Sequence, residues 1–453
     1  MKRFLPAATI ALAGVISGCS GGSDNAPEST SLTVVPTAAP EGAPGELREL
    51  ALRVTLTEPS KRTIRVQYAT RPGTATEGQD YLHAAGVVEI APGELSGYIP
   101  VELLGDSDEE PGETFTVHIE TAGPATPTAT EITATIANDD TACDEPFEKV
   151  TNPWLVNGAE PLNFAHRGGV IDFPENTLFA YAEAALAGAD VLEMDVYQTK
   201  DNELVVLHDR TVDRTTNGSG RVVELTLAEL RALDAAYWFV PGVGTPHDRP
   251  EADYVYRGIA TGHKPPPAGY SAEDFRIPTL EEALARFPQN LVNLELKPDD
   301  DVGNYEAQMA ALLQRYGRFR DVIAASFDGD AARNFKRAAP CVYTSVPLDQ
   351  GQDLVLGFLA TGSQSFPDVP EHITWQVPPD TTSIGQLNFF LEIVTPEFVA
   401  ASHAANLAVQ VWTINSCEEM LRMIDLGVDA IMTDRPILLE ELLATPPGQR
   451  SCP

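Results

Sequence analysis

The chain has 453 residues, more than one hydrophobic core normally holds, so two or three domains are expected. Its 66 acidic residues outnumber its 30 basic residues and give a formal net charge of −36 at pH 7. Because no basic surface stands out, this balance excludes nucleic acid as a partner and favours a solvated acidic surface, sites for hard cations, or both.

The amino terminus follows the pattern of an export signal. Lys2 and Arg3 precede an apolar run from Phe4 to Ile16, which is too short to remain as a membrane-spanning helix. Small residues then lead directly to Cys19, and this arrangement resembles the bacterial lipobox. The resemblance implies that residues 1–18 are a lipoprotein signal peptide and that Cys19 is lipidated after cleavage. An ordinary secretory signal with a chance cysteine is the alternative.

Residues 19–30 predict a flexible tether because they are rich in Gly, Ser, Asp and Pro. Under the same resemblance, Ser20 rather than aspartate after the lipidated cysteine implies the outer membrane. We therefore expect an exported bacterial lipoprotein that faces the periplasm or the cell surface and is held at the membrane by a lipid anchor.

Residues 31–140 alternate apolar and polar side chains in short runs, such as 52–56, 64–68 and 115–119. Turns rich in Gly, Pro and Asp separate these runs, and no helical period competes. This pattern predicts an antiparallel β-sandwich.

Acidic residues of this region cluster in the turns rather than on the strands. The segments PGTATEGQDY, APGE, GDSDEEPGETFTV and IANDD resemble the Calx-β module, an immunoglobulin-like sandwich, across the whole region. By that resemblance the candidate calcium ligands are Glu41, Asp80, Asp106, Asp139 and Asp140. The alternative is that these carboxylates only make the loops soluble. We expect a spacer or adhesive domain without a catalytic role.

Four cysteines remain after Cys19 is set aside, and an exported protein meets conditions in which they can form disulfides. Four cysteines allow three full pairings, and the sequence does not choose among them. A bond between Cys143 and Cys452 would tie the two ends of the C-terminal region together. No cysteine or histidine spacing typical of a zinc site is present in the sequence.

Residues 143–453 alternate strand-like and helical runs, which predicts an α/β fold of the TIM (β/α)8 barrel type. Eight runs are the expected barrel strands, and the sixth is the least regular of them. The expected strands are Leu162–His166, Val191–Tyr197, Leu291–Leu296, Val322–Ser326, Val342–Val346, Leu387–Phe390, Val409–Ile414 and Ala430–Thr433.

Several of these strands end in polar residues, and in a barrel such ends meet at the catalytic rim. The residues concerned are His166, Arg167, Glu193, Asp195, Glu295, Lys297 and Asp434. Glu193 and Asp195, like Glu295 and Lys297, are two positions apart and therefore share one face of a strand. Three carboxylates at one rim would make an oxygen-rich site for Ca²⁺ or Mg²⁺. The alternative is a structural network in which Lys297 neutralises Glu295.

A hairpin after the second strand brings a second histidine to the same rim. Asp201 and Asn202 lie between two apolar runs and predict the turn. A turn centred on these two residues would place His208 opposite Asp195.

The C-terminal region as a whole resembles the glycerophosphodiester phosphodiesterase family. The matching segments are AHRG, PENT, LEMDV, VVLHD, IPTLEEAL, NLELKP, VWTIN and TDRP, in that order along residues 165–436. The resemblance implies metal-dependent hydrolysis of glycerophosphodiesters to glycerol 3-phosphate and an alcohol, through attack by the glycerol 2-hydroxyl and a cyclic phosphate.

The resemblance also assigns roles to individual residues. It makes His166 and His208 the catalytic acid and base, without saying which is which. It makes Glu193, Asp195 and Glu295 the ligands of a divalent metal, with Ca²⁺ expected ahead of Mg²⁺, and Arg167 and Lys297 the residues that contact the substrate phosphate. Trp412 is expected to line the floor of the substrate pocket, with plain barrel packing as the alternative.

Residues 225–278 are longer than a normal connection between a strand and a helix. The resemblance implies an insertion that shapes the substrate pocket, and we expect a specificity lid, with His247 and His263 as ordinary loop residues. Two other functions are open: a phospholipase that acts on intact lipid, and a non-catalytic, calcium-binding surface adhesin. The complete set of candidate catalytic residues argues against the adhesin.

Overall fold

The computed structural model describes most of the chain. It covers residues 30–452 apart from 43, 107–109, 141, 142, 144, 145, 148–151, 157, 300–302, 362–365, 367, 368, 370 and 385–389. The expected signal peptide, Cys19 and nearly all of the tether lie outside these residues. Within the described ranges, no helix combines the length and apolar character that crossing a bilayer requires.

The N-terminal region is the predicted β-sandwich. Its strands are β1 Ser31–Val34, β2 Ala38–Pro40, β3 Leu47–Leu56, β4 Ile64–Pro72, β5 Ala85–Ile90, β6 Ser96–Leu104, β7 Glu113–Thr121, β8 Thr126–Pro127 and β9 Glu131–Ala137. One sheet has the order β6-β3-β1-β8 and the other has the order β2-β9-β7-β4-β5. Alternate residues point between the sheets, so that Leu52, Val66 and Val117 are fully buried in a core of their own.

The C-terminal region is a closed parallel barrel, as the alternating pattern predicts. Its strands are β10 Leu162–Ala165, β11 Val191–Gln198, β12 Leu204–Val206, β13 Leu291–Leu296, β14 Val322–Ala325, β15 Tyr343–Thr344, β16 Thr374–Val377, β17 Ala408–Val411 and β18 Ala430–Thr433. Eight of them run in the order β15-β14-β13-β11-β10-β18-β17-β16, while β12 pairs only with β11. A bridge between Ser345 and Thr374 joins the two ends of this order and completes the ring.

Helices surround the barrel. They are α1 Leu178–Leu186, α2 Leu227–Arg231, α3 Leu280–Arg286, α4 Tyr305–Arg315, α5 Gly329–Ala338, α6 Leu348–Thr361, α7 Pro396–Ala404, α8 Cys417–Leu426 and α9 Pro436–Ala444. Their apolar faces pack on the strands in two large clusters of buried side chains, one around β10 to β14 and the other around β16 to β18.

The sixth barrel strand was predicted at the wrong place. Residues 387–389 of the predicted strand lie outside the described part of the chain, and Phe390 is not in a strand. The position is taken by β16, whose Gln376 points into the barrel and donates to Asn293 Oδ1 at 2.6 Å and to Gln410 Oε1 at 2.9 Å. Because this interior layer of the barrel is polar, the apolar run at 387–390 did not mark the strand that contributes to it.

The hairpin after β11 has a different register from the predicted one. Tyr197 pairs with Val205, and the turn therefore consists of the three residues from Lys200 to Asn202. Asn202 adopts a left-handed conformation with φ 64°, which suits the last position of a three-residue hairpin loop. The extra loop residue places Leu207, not His208, opposite Asp195.

The structure has two disulfides, and neither is the bond between Cys143 and Cys452 that was considered from the sequence. Cys143 bonds to Cys341, and Cys417 bonds to Cys452. The Cys143 bond holds the segment that leaves the sandwich against the barrel beside β15. The Cys417 bond fastens the C-terminal segment to the start of α8, because these are the cysteines that the fold brings to within 5.6 Å between Cα atoms.

The sandwich is docked on the barrel through the insertion. Arg53 of β3 donates to both carboxylate oxygens of Asp274, at 2.7 and 2.9 Å, and to Ser271 Oγ at 2.7 Å. Asp274 is only 1% exposed, so this bidentate ion pair lies inside the contact between the two domains. The expected spacer domain is therefore a packed part of the molecule.

Candidate active site

A cavity of about 260 Å³ opens at the carboxyl ends of the barrel strands. It is lined by all but one of the predicted site residues of the barrel, namely His166, Arg167, Glu193, His208, Glu295, Lys297 and Trp412. The exception is Asp195, which lies behind the cavity wall and is fully buried. The structure thus brings together side chains from five different strand ends.

The first strand ends in a left-handed turn that its two glycines make possible. Three consecutive residues, Arg167, Gly168 and Gly169, have positive φ angles of 53°, 83° and 100°. A Cβ on Gly168 would stand 2.8 Å from Ala180 Cβ, and one on Gly169 would stand 2.8 Å from Pro436 Cδ. The two glycines therefore allow both the left-handed turn and its close packing against α1 and α9. This turn directs the Arg167 amide to Glu193 Oε2 at 2.8 Å.

The segment Pro174 to Thr177 supports the same turn from below. Glu175 is buried and faces the Arg167 guanidinium at 3.3 Å. Asn176 Nδ2 donates to Asp195 Oδ2 at 3.0 Å, and Asn176 Oδ1 accepts the Tyr181 hydroxyl at 2.6 Å. Thr177 caps α1, since its Oγ1 accepts from the Ala180 amide at 3.1 Å. Helix α1 therefore starts after Thr177 and not at Pro174. The segment holds two candidate site residues, Arg167 and Asp195, in place.

Three carboxylates converge beside the cavity. Single oxygens of Glu193, Asp195 and Glu295 all lie within 4.8 Å of one another. Lys297 Nζ lies 2.5 Å from Glu295 Oε1 and 3.3 Å from Asp195 Oδ1, and Arg167 Nε lies 3.3 Å from Asp195 Oδ2. Two cations therefore face three anions in a largely buried space.

The pKa values of these carboxyl groups reflect the excess of negative over positive charge. Burial raises the pKa of Glu193 well above its usual range, and the charges of Asp195 and Glu295 raise it further. Burial and Asp195 likewise raise the pKa of Glu295, against the opposing effect of Lys297. The pKa of Asp195 is lowered despite its burial, because Lys297 and Arg167 stabilise its charged form.

These residues fit a divalent cation. Asp195 Oδ1 is buried and accepts no hydrogen bond from any residue of the described ranges. A cation among the three carboxylates would balance the excess negative charge and allow all three to ionise. Carboxylate oxygens are the ligands that both Ca²⁺ and Mg²⁺ prefer.

Each candidate catalytic histidine is oriented by a carboxylate. His166 Nδ1 lies 2.6 Å from Asp434 Oδ1, and His208 Nδ1 lies 2.6 Å from Asp209 Oδ1. Burial tends to raise the pKa of Asp434, but the hydrogen bond and the charge of His166 lower it, so the aspartate is ionised and can only accept. The imidazole proton therefore sits on Nδ1, and Nε2 is left for proton exchange.

The aspartate beside His208 belongs to a longer chain of charges. Arg214 Nε donates to Asp209 Oδ2 at 2.7 Å. Its two terminal nitrogens hold the Glu175 carboxylate at 2.6 and 2.7 Å. Glu175 in turn faces Arg167, so a continuous series of ion pairs connects His208 with Arg167.

The insertion packs largely around one of its own arginines, and its predicted role as a specificity lid stays a prediction. None of the residues that line the cavity belongs to 225–278, all of which are described. Its aromatic side chains enclose Arg257, whose guanidinium lies 4.1 Å from the Tyr237 ring and 3.8 Å from the Tyr254 ring. His247 stacks on Trp238 at 4.2 Å, and its Nε2 lies 2.9 Å from the Arg214 carbonyl oxygen.

The sandwich carries two further groups of carboxylates, which share Glu110. Glu41 and Asp106 belong to one group, and Asp80 and Glu113 belong to the other. Burial, together with the charges of Asp106, Asp139, Asp140 and Glu110, raises the pKa of Glu41 to about 8. Glu41 Oε1 is buried without a hydrogen bond from the described residues. Asp139 binds the Gly42 amide at 3.2 Å.

Four residues of the site were not assigned a role from the sequence. Asp434 was placed at the catalytic rim by its position after the last strand, but without a role, and Asp209 directly follows a candidate histidine, which is a signal in the sequence. Glu175 was noted only as a residue that could support the site. Arg214 gave no signal, because nothing in its neighbourhood shows that it reaches Glu175, 39 residues earlier.

Comparison with known proteins agrees with this geometry. Residues 166–438 match the sequence profile of the Glycerophosphoryl diester phosphodiesterase family, and residues 45–141 match that of the Calx-beta domain. The chain is similar to a glycerophosphodiester phosphodiesterase of Caldanaerobacter subterraneus subsp. tengcongensis, with 33% identity over 285 residues that cover 62% of this chain and 97% of the relative. A glycerophosphodiester phosphodiesterase of Bacillus subtilis is 29% identical over 306 residues, which cover 66% and 91% of the two chains.

A solved structure supports the fold. The glycerophosphoryl diester phosphodiesterase domain of an uncharacterized Mycobacterium tuberculosis protein aligns with a TM-score of 0.50 at 19% identity, and the alignment covers 62% of this chain and 98% of that domain. At this identity the likeness shows the barrel architecture alone.

Proposed function

This chain belongs to the glycerophosphoryl diester phosphodiesterase family, and on that basis we propose that it hydrolyses glycerophosphodiesters to glycerol 3-phosphate and an alcohol. The observation that carries the mechanism is the pair of histidines, each held by an aspartate, on one cavity with three carboxylates and two cations.

His166 and His208 move the protons of the reaction. Nδ1 of each ring is committed to its aspartate, so each exchanges protons through Nε2. One histidine takes the proton of the attacking hydroxyl, and the other gives a proton to the departing alkoxide. When the diester has reacted, the two rings have exchanged roles, and the attack of water restores them.

Arg167 and Lys297 bind the phosphate. Both side chains are about 15% exposed, so each keeps one face open to the cavity while its other contacts are made with carboxylates. A guanidinium can hold two phosphate oxygens at once, and an ammonium group adds a compact charge. Their fixed ion pairs orient them before the substrate arrives.

We propose Glu193, Asp195 and Glu295 as the ligands of a divalent cation, Ca²⁺ ahead of Mg²⁺. Ca²⁺ tolerates the irregular geometry that three side chains and a substrate would give, whereas Mg²⁺ requires a near-ideal octahedron. When bound, such an ion withdraws charge from the phosphate and so makes phosphorus easier to attack.

We also propose calcium on the sandwich, at the group that contains Glu41 and Asp106 and at the group that contains Asp80, with support from Asp139 and Asp140. The buried, unpaired oxygen of Glu41 supports this role. Because the barrel has its complete set of candidate catalytic residues, a protein that serves only as an adhesin is the weaker reading.

The proposed domain organisation follows the sequence. It consists of a signal peptide at 1–18, a tether at 19–30, a Calx-β sandwich at 31–140 and a barrel at 143–453, with lipid attached at Cys19. The protein would therefore act at the outer membrane, towards the periplasm or the cell surface. The two disulfides support an oxidising compartment.

The test is release of alcohol from glycerophosphocholine by the full chain, with and without chelator. We expect turnover that is lost in excess chelator, is restored by Ca²⁺ and falls by at least about 10²-fold in His166→Ala. Undiminished turnover in the variant would contradict the histidine mechanism. Undiminished turnover in chelator would contradict the metal site.

A further inference from the structure

One stretch of the insertion, residues 240–247, contacts two loops of the catalytic site, and we call it the bridging segment. Its Gly242 amide donates to the Ile171 carbonyl oxygen at 2.8 Å, and Ile171 belongs to the loop that follows strand β10. The other end of the segment contacts Arg214, which belongs to the loop that follows strand β12. The bridging segment therefore connects the two loops that carry the candidate catalytic histidines.

Arg214 has two partners in the bridging segment in addition to the carboxylates of Asp209 and Glu175. Its guanidinium donates to Thr245 Oγ1 at 3.2 Å, and its backbone carbonyl oxygen lies 2.9 Å from His247 Nε2. A carbonyl oxygen only accepts, so the imidazole carries its hydrogen on Nε2 and donates. Thr245 thus holds the charged end of the arginine, and His247 holds the backbone from which the side chain extends.

His247 is placed for this contact by aromatic neighbours in the insertion. Its ring stacks on Trp238 with an angle of 14° between the two planes. The Tyr254 hydroxyl donates to the Pro246 carbonyl oxygen at 2.9 Å and accepts from the Arg249 amide at 3.0 Å. The backbone is therefore fixed on both sides of His247, and the ring loses little conformational freedom when it donates to the arginine.

The other histidine of the insertion offers a comparison. His263 Nδ1 lies 2.9 Å from Thr261 Oγ1, and the His263 amide donates to the Gly258 carbonyl oxygen at 2.8 Å. Both of these partners belong to the insertion itself. The sequence predicts the same ordinary role for the two histidines, whereas the structure places His247 against a loop of the catalytic site.

We propose that Thr245 and His247 are positioning residues for the catalytic His208. They hold Arg214, Arg214 holds the Asp209 carboxylate, and this carboxylate orients the imidazole of His208. The inference rests on the proposed function, because it concerns how the same proton transfer is supported. Neither positioning residue lines the catalytic cavity, so both act through Arg214 and not on the substrate.

Arg214 needs these partners because its part of the network is open to water. The Arg214 side chain is 34% exposed and the Asp209 side chain is 29% exposed. Water competes for the donors of such a guanidinium and weakens its ion pairs. A further hydrogen bond from Nη1 and a fixed backbone restrict the arginine to the orientation that meets both carboxylates. Since proton transfer depends on how the imidazole is oriented, loss of either contact should lower kcat and leave KM almost unchanged.

The experiment measures choline release from glycerophosphocholine by the full-length protein with Ca²⁺. Thr245→Val removes the hydroxyl at nearly constant size, and His247→Phe removes the donor but keeps a ring to stack on Trp238. We expect each variant to lower kcat by about three- to tenfold, while KM changes by less than about twofold. Thr245→Ser retains the hydroxyl and should restore the wild-type kcat. His263→Phe is the matched control in the insertion and should behave as the wild type.

A second comparison tests the route through Asp209. Asp209→Asn removes the carboxylate through which Arg214 acts on His208. In that background Thr245→Val should lower kcat by less than about twofold further, because substitutions that act through one shared group are not additive. The thermal midpoint of each variant is measured alongside, and we expect it to stay close to that of the matching background.

The outcomes separate the positioning role from the proposed function. If the wild type hydrolyses glycerophosphocholine but Thr245→Val and His247→Phe keep its kcat, the positioning role is wrong while the phosphodiesterase function stands. The role is also wrong if His263→Phe shows the same loss, or if Thr245→Val has its full effect without the Asp209 carboxylate, since the residue then acts by another route. If the wild type hydrolyses nothing with Ca²⁺ or Mg²⁺, the proposed function fails and this inference fails with it.

Discussion

His166 and Asp434 meet where the barrel closes, at the pairing of its first and last strands. Ala165 pairs with Thr433, so the two residues that follow them leave the sheet side by side, and Nδ1 lies 2.6 Å from Oδ1. Asn415, which follows β17, donates to the other oxygen of Asp434 at 2.7 Å. Residues from three strand ends therefore fix the orientation of one imidazole ring.

Asp434→Asn should lower kcat by about 10²–10⁴-fold, because an amide can turn its NH₂ group towards Nδ1 and favour the wrong tautomer. Substrate KM should change little, since Asp434 does not line the cavity. Asp172→Asn is the matched control: Asp172 accepts from the Ile437 amide on the same side of the barrel but touches no histidine. Steady-state kinetics on both variants checks this, and similar losses in the two would contradict a specific role for Asp434.

Arg214→Lys should reduce kcat by about 10- to 100-fold, although the positive charge is retained. A lysine cannot hold Glu175 through two nitrogens while it donates to Asp209. Arg231→Lys is the control, because Arg231 makes comparable ion pairs with Glu273 and Glu282 away from the cavity. A thermal midpoint lowered equally in both variants, with kcat unchanged, would show that Arg214 only stabilises the fold.

Gly168→Ala should cost about 3 kcal/mol or more of unfolding free energy, since it adds a steric clash to a left-handed conformation. Gly158→Ala separates the two effects. Its φ of 81° nearly equals the 83° of Gly168, but no atom lies within 4 Å of the added Cβ. We expect about 1 kcal/mol for that variant, measured by denaturant unfolding. Equal costs would mean that packing against Ala180 does not matter.

Calcium should raise the thermal midpoint of the protein through the sandwich carboxylates. At a free concentration of one hundred times Kd, one site contributes about 2.7 kcal/mol to the stability of the domain that binds it. Glu41→Gln should remove most of this gain, because it removes the charge of a buried ligand. Glu131→Gln, on an exposed side chain of β9, should keep it. A calcium-induced shift that is the same in both variants would place the ion elsewhere.

Cys19→Ala should release the protein from membranes. Cleavage and lipidation would both fail without the thiol, and no helix in the described part of the chain is long and apolar enough to cross a bilayer. Fractionation of cells that express the two forms measures the effect. If the variant still sediments with the outer membrane, the anchor lies elsewhere in the chain.

The sequence predicted seven of the eight barrel strands, because each is a short run rich in apolar residues. It failed at the sixth, where Gln376 faces a polar layer inside the barrel and the strand is short. Apolar patterning locates a strand only when the interior beside it is apolar.

The candidate metal ligands could be grouped in advance because spacing and strand order bring Glu193, Asp195 and Glu295 to one rim. The contacts that orient the two catalytic histidines could not be derived from spacing and strand order. The contact between Arg214 and Glu175 depends on how a loop folds back over α1, and a one-residue error in the hairpin register was enough to misplace Leu207 and His208. Such contacts follow from loop geometry, which local propensity does not determine.

The two sides of the catalytic cavity come from different stretches of the chain. The acid–base and phosphate-binding groups lie before residue 300 or after residue 411, whereas the residues that line a second, uncharged cavity beside it lie between 346 and 393. Mutations in this middle stretch would change which diesters are accepted without disturbing the chemistry. Substrate range could therefore diverge quickly among proteins that share this catalytic machinery. Exchange of the one contiguous segment 346–393 would then be enough to change the substrate preference of the enzyme.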